Sequence, residues 1–166
     1  MPMSRAFVKE TDGDVPEDLP ELPLSPHPNY VTPGGLCLLQ ERLQQTESQR
    51  AAIDDAIVGA VQQRAYLARD IRWLQARIAS AQAVIVAESP QRAGFGCVVT
   101  LMDEAGKEYR YRIVGEDEAD PEAGDISWVS PLARALQGRE VGEEVLWPRP
   151  VGDLRVEITG IESGPG

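Results

Sequence analysis

The stretch "YRIVGEDEADPEAGDISWVSPLARAL", Tyr111 to Leu136, passes through five kinds of local signal in succession. Tyr111, Ile113 and Val114 belong on a pleated, half-buried surface and read as a strand. Glu116, Asp117, Glu118 and Asp120 then place four carboxylates within five positions. A loop with Pro121 and Gly124 follows, then a short strand in "DISWV". Ser130 before Pro131 supplies an N-cap hydroxyl and a first-position proline, which opens a short helix over Ser130 to Leu136. The acids admit three readings: a metal site, a catalytic cluster, or a solvated turn.

Strand signals flank this stretch on both sides. "GCVVTLMD", Gly96 to Asp103, reads as a strand, "EAG" as a hairpin turn, and "KEYRYRIV", Lys107 to Val114, as its alternating partner. "EEVLWPRP" is a strand closed by its prolines, and Asp153 to Glu162 alternates Leu154, Val156 and Ile158. Strands interrupted by one short helix predict an α+β domain with an antiparallel sheet over residues 88–166, a region of net charge −8.

Residues 31–87 carry a net charge of +1 and a helical pattern. Thr32 and Pro33 mark the start, although Gly34 and Gly35 weaken the first turn. Leu36, Leu39, Leu43, Thr46, Arg50, Ile53, Ile57 and Ala60 recur at spacings of three and four. Arg64, Leu67, Ile71, Leu74, Ile78, Ala81 and Ile85 continue the series. Gly59 is the one breaker between Gly35 and Pro90, near the midpoint. The pattern fits an antiparallel hairpin with arms of about 26 residues, ~39 Å each. It equally fits one long helix whose seam a second chain covers. Arg50 and Arg64 stand on the seam with stems long enough to snorkel, and Trp73 flanks it.

Residues 1–30 hold six of the 13 prolines and a net charge of −4. Such a leader is expected to be extended or disordered, with Leu19, Leu22 and Leu24 available to dock on a neighbouring surface. His27, between prolines, reads as an exposed loop residue. The one histidine, His27, lies in the leader, far from Ser130 in the chain, so a nucleophilic triad is not expected, and no Gly-rich phosphate loop is present. Net charge of −11 and a pI near 4.5 argue against direct DNA or RNA binding through phosphates. No apolar run approaches the ~18 residues of a membrane span, and no secretory signal is visible. Cys37 and Cys97 match no metal spacing and read as reduced thiols in a cytoplasmic protein.

"YRIVG" (Tyr111–Gly115), "DEAD" (Asp117–Asp120), "IS" (Ile126–Ser127), "SPLARAL" (Ser130–Leu136), Gly138 and "VG" (Val141–Gly142) form an ordered set. It resembles the C-terminal domain of the GreA/GreB transcription elongation factors. "VTPGGLCLLQERL" (Val31–Leu43) and "ARIASAQAV" (Ala76–Val84) resemble the start and end of that family's helical hairpin. The resemblance covers about Val31 to Glu162. It implies a hairpin followed by an immunophilin-like α+β domain, and bacterial RNA polymerase as partner. The C-terminal domain would dock at the rim of the secondary channel and the hairpin would enter it. In cleavage factors, acids at the hairpin tip help hold the polymerase's magnesium ion and a water.

Here the tip departs from the family pattern. Only "VQQ", Val61 to Gln63, lies where an acidic loop is expected, and the hairpin is several turns short. Asp54 and Asp55 are the acids near the tip; on a helix, adjacent side chains diverge by about 100° and do not converge on one ion. The chain therefore resembles the short-hairpin, Rnk-like branch. This implies a monomeric, non-enzymatic polymerase-binding regulator with weak or absent stimulation of transcript cleavage and no cofactor of its own. Docking would fall to Asp117, Glu118, Asp120, Trp128, Ser130, Pro131 and Arg134. Three other readings stand beside it: a cleavage factor using Asp54 and Asp55, a homodimeric coiled-coil adaptor, and an aromatic-poor prolyl isomerase.

Overall fold

The structure, a computed structural model, describes residues 19–165. Residues 1–18 of the leader lie outside the described residues. Helix α1 (Pro33–Ala51) begins where the Thr-Pro pair places it. Thr32 Oγ1 accepts the Gly35 N–H at 2.9 Å and Pro33 occupies the first turn, where its missing N–H costs nothing. Helix α2 (Ala60–Ser80) returns against it. The chain thus forms the antiparallel hairpin, not one long helix. Leu39 and Leu74, with Val31, are its buried centre, and Leu36, Leu43, Trp73 and Ile78 pack around them.

The arms are shorter than the periodicity predicts: 19 and 21 residues, about 28 and 31 Å. The seam spacing runs on through Ile53 and Ile57, but the backbone unwinds between Ala52 and Gly59. Gly59, at φ 85°, supplies the left-handed turn that starts α2. Past Ala51 the chain has left the helical pair, and Ile57 is 57% exposed and Val58 fully exposed. At the other end α2 stops at Ser80 and Ala81 turns extended. Ile85, nominally on the seam, points to solvent.

The segment after α2 turns extended because it pairs with the leader. Strand β1 (Tyr30–Val31) and strand β2 (Gln82–Ala83) form a short parallel pair. Gln82 donates its N–H to Asn29 O at 2.8 Å and Val84 to Val31 O at 2.9 Å. The leader from Leu19 onward is extended, as expected, but it is also docked. Trp73 Nε1 donates to Pro23 O at 3.2 Å and Arg72 pairs with Glu21.

The C-terminal domain is a five-stranded sheet in the order β5-β4-β3-β7-β6. Its strands are β3 (Cys97–Asp103), β4 (Glu108–Val114), β5 (Asp125–Ser127), β6 (Glu144–Trp147) and β7 (Leu154–Ser163). Three pairs are antiparallel; β5 joins β4 in parallel, which corrects the all-antiparallel expectation. A parallel neighbour requires a crossover rather than a tight hairpin, and the loop 115–124 that carries the acids is that crossover. Helix α3 (Pro131–Leu136) closes one face, capped by Ser130, whose Oγ accepts the Ala133 N–H. Val99, Leu101, Ile113, Leu136, Val156 and Ile158 are buried in the core between sheet and helix. Each such side chain contributes about 1.5–3 kcal/mol by leaving water.

Candidate functional site

The acidic run is not a solvated turn throughout; half of it fastens the two halves of the molecule together. Arg77, in the last turn of α2, is 3% exposed. Its Nε donates to Asp117 Oδ2 at 2.6 Å and its Nη2 to Asn29 Oδ1 at 2.7 Å. Asn29 in turn donates from Nδ2 to Arg77 O at 2.7 Å. One planar guanidinium therefore ties the hairpin, the leader and the sheet domain at once. Its charge is buried but paired and hydrogen-bonded, the condition under which a buried charge is tolerated.

A second tie runs beside the first. Glu118, whose side chain is 8% exposed, accepts from Thr32 Oγ1 at 2.6 Å and from Arg112 Nη2 at 2.9 Å. Arg112 also grips Asp125 through Nε at 2.8 Å. The hydrogen bond to Asp125 is the main cause holding the Arg112 pKa above its ordinary value against burial, with the Asp125 and Glu118 charges adding to it. The Thr32 hydroxyl thus caps α1 and donates to Glu118 in the same geometry. Gly35 is glycine for a reason the sequence did not disclose: a Cβ there would lie 2.5 Å from Glu118 Oε2. At Gly115 a Cβ would collide with the Tyr30 carbonyl oxygen, so the glycine of "YRIVG" lets the leader strand reach the sheet.

Glu116 and Trp128 lie where the leader crosses the sheet domain. Ser25 Oγ donates to Glu116 Oε1 at 3.0 Å. The Trp128 ring meets His27 edge-on at 5.9 Å and Tyr30 at 5.1 Å. His27 is therefore half-buried against an indole, not the exposed loop residue its prolines suggest. Asp120 is exposed; its backbone bridges to Asp125 and starts the Pro121–Ala123 turn. Pro131 and Arg134 are exposed on α3, and Arg134 has no ion pair among the described residues. Of the predicted docking residues, Asp120, Trp128, Ser130, Pro131 and Arg134 lie on or directly beside β5 and α3 in the chain. Asp117 and Glu118 are occupied internally. Sequence reasoning missed Arg77, Thr32 and Arg112 as their partners; the available signal was a hairpin rich in arginine beside an acidic domain.

At the far end of the molecule, Asp54 and Asp55 occupy the loop between the helices, not a helix as the sequence suggests. Asp54 Oδ1 accepts the Ala56 N–H at 2.9 Å, a local turn. Asp55 pairs with Arg64, which also donates to Ile53 O at 2.7 Å. A loop lets neighbouring acids converge better than a helix does; here Asp55 faces Arg64 in an exposed pair and Asp54 accepts a backbone N–H. Among the described residues no group of three or more His, Cys, Asp or Glu side chains is arranged to hold a metal ion. Among the described residues, too, no helix is long and apolar enough to cross a membrane.

Comparison with known proteins finds one recurring set of relatives. The family model described as "Transcription elongation factor, GreA/GreB, C-term" matches residues 88–163. The chain is 40% identical over 106 residues to transcription elongation factor GreA of Thioalkalivibrio sulfidiphilus, covering 62% of this chain and 67% of that protein. It is 44% identical over 98 residues to GreB of Pseudomonas aeruginosa, 57% of each chain. It is 32% identical over 153 residues to GreB of Neisseria meningitidis serogroup B, 81% of this chain and 93% of that one. Among solved structures, Thermus aquaticus Gfh1 aligns with a TM-score of 0.41 at 24% identity, covering 81% of this chain and 98% of that one. The matched span of the family model contains the acidic crossover and the Ser-Pro helix, and the chain belongs to the GreA/GreB family of transcription elongation factors.

Proposed function

We propose that this protein is a cytoplasmic, monomeric regulator of transcript elongation that binds bacterial RNA polymerase at its secondary channel and stimulates RNA cleavage weakly or not at all. Family membership supports the partner. The observation that carries the limit on chemistry is the tip: two carboxylates only, Asp55 paired with Arg64 and Asp54 turned onto its own backbone. In this reading the C-terminal domain docks through the end carrying Asp120, Trp128, Ser130, Pro131 and Arg134. The short hairpin occupies the channel without completing a metal site. The branch is the short-hairpin one, and any magnesium belongs to the polymerase.

The second reading, an active cleavage factor, is favoured by one observation: Asp54 and Asp55 lie on the tip loop, where side chains can reorient. A transcript-cleavage assay on stalled elongation complexes separates the two. The proposed function expects little RNA shortening above the polymerase's own rate while core polymerase is bound in a pull-down. Robust shortening, lost in Asp54→Ala/Asp55→Ala, would establish the second reading instead. Failure to bind polymerase at all would sink both.

A further inference from the structure

Among the described residues, three side-chain polar atoms are buried without a hydrogen-bond partner: Arg69 Nε, Glu116 Oε2 and Trp128 Nε1. Two of the three belong to residues that the leader covers. Ser25 satisfies Glu116 Oε1 but nothing satisfies Oε2, and His27 packs on the Trp128 ring without accepting from its N–H. Buried polar groups are nearly always paired, and leaving one unpaired costs most of its desolvation. A segment that packs on the Trp128 ring and bonds Glu116 without serving the indole N–H or Oε2 is a poor permanent cover.

The rest of the leader divides sharply at this point. From Asn29 onward it is fixed, by the Asn29–Arg77 exchange, the β1–β2 pair and the close approach at Gly115. Before Asn29, among the described residues, the polar ties to the rest of the molecule are the Ser25 hydrogen bond, the Trp73-to-Pro23 hydrogen bond and the Glu21–Arg72 ion pair, whose side chains are 61% and 52% exposed. An exposed ion pair holds weakly and is screened by salt.

We propose that Glu21–Pro28 is a releasable strap, hinged at Asn29, that masks a protein-docking face centred on Trp128 and Glu116. The partner that replaces it presents a carbonyl or carboxylate to the indole N–H and a basic side chain to Glu116. The net charge of −8 over residues 88–166 favours such a basic surface. The inference rests on the polymerase reading for the identity of that surface. It adds that the free protein competes with its own partner, so measured affinity is lowered by the fraction of molecules with the strap closed.

The test compares the full chain with Ser25→Ala/His27→Ala, with matching circular dichroism confirming the fold. In the free protein, water exchange of the Trp128 indole N–H is followed by NMR, assigned through Trp128→Phe, with the Trp147 indole as internal reference. In parallel, Kd for core RNA polymerase is measured. The strap predicts at least about tenfold faster exchange at Trp128 and binding tighter by about three- to tenfold. It also predicts that Trp128→Ala weakens binding by about tenfold in both backgrounds. Unchanged exchange overturns releasability, and faster exchange with unchanged or weaker binding overturns masking. A chain that binds no polymerase in either form refutes the partner and the polymerase reading, while the exchange result still decides whether the strap opens.

Discussion

Replacing Arg77 by alanine tests whether the two halves of the molecule are held by one buried guanidinium. The change strands the Asp117 carboxylate, whose side chain is only 18% exposed, and leaves Asn29 Oδ1 without its donor. Breaking a buried pair from one side costs about 3–5 kcal/mol, because the remaining charge stays desolvated. Partial exposure of Asp117 relieves some of that, while the lost acceptor partner at Asn29 adds about 1–3 kcal/mol in the opposite direction. The loss of Arg77 from the Trp73 ring face, 5.9 Å away, is a smaller addition. The expected total is about 3–5 kcal/mol, a large share of the ~5–15 kcal/mol that holds a domain folded. Urea denaturation followed by far-UV circular dichroism reads it directly. Arg77→Lys keeps the charge but not the two-pronged geometry and should fall between the two. Asp117→Ala, combined with Arg77→Ala, closes a double-mutant cycle with a coupling of at least about 1 kcal/mol. A single-variant loss under about 1 kcal/mol, or strict additivity in the cycle, would refute the clamp.

Three further outcomes follow from the same geometry. Thr32→Ala removes both a helix cap and the hydroxyl donor to Glu118; it should cost about 2–3 kcal/mol in chemical denaturation, and Thr32→Ser should restore most of it. Gly115→Ala drives a methyl group into the Tyr30 carbonyl and should cost about 1–3 kcal/mol. Amide exchange at Gln82 and Val84 should rise more than at Val99; equal protection at all three would contradict the close approach. Asp103 accepts from the Lys107 and Ala105 N–H groups and the Tyr109 hydroxyl, and the Lys107 hydrogen bond is the main cause lowering its pKa below the ordinary 3.8. A depressed carboxylate contributes stability that is complete above its unfolded pKa and is lost as pH falls through the folded one. Asp103→Asn should therefore flatten that part of the acid limb in a thermal-melt series between about pH 5 and 2; an unchanged limb would remove Asp103 from the account.

Much of the architecture is written in short stretches. Both Pro-opened helices start where Thr32-Pro33 and Ser130-Pro131 place them, and all the strands of the sheet overlap their alternating segments. Caps, turns and alternation act within a few residues, so they are visible before the fold is known. Three things were not visible. The seam spacing continues through Ile53 and Ile57, but a seam is buried only where a second helix faces it. The strand pattern of "DISWV" carries no direction, so the parallel pairing of β5 could not be read from it. The acids of "GEDEAD" look solvated because their partners are distant in the chain.

That distance separates what the chain declares from what the folded molecule adds. The residues of Tyr111–Leu136 place the protein among the GreA/GreB factors and predict a sheet domain. They cannot say that Asp117 belongs to Arg77, 40 positions away, or that the Thr32 hydroxyl donates to Glu118, 86 positions away. Those pairings exist because the hairpin base, the leader and the crossover loop meet at one junction, and burial there makes each unpaired charge expensive. The folded molecule engages Asp117 and Glu118 in the internal clamp, and Trp128, under the leader, is the residue through which the proposed docking surface is tested.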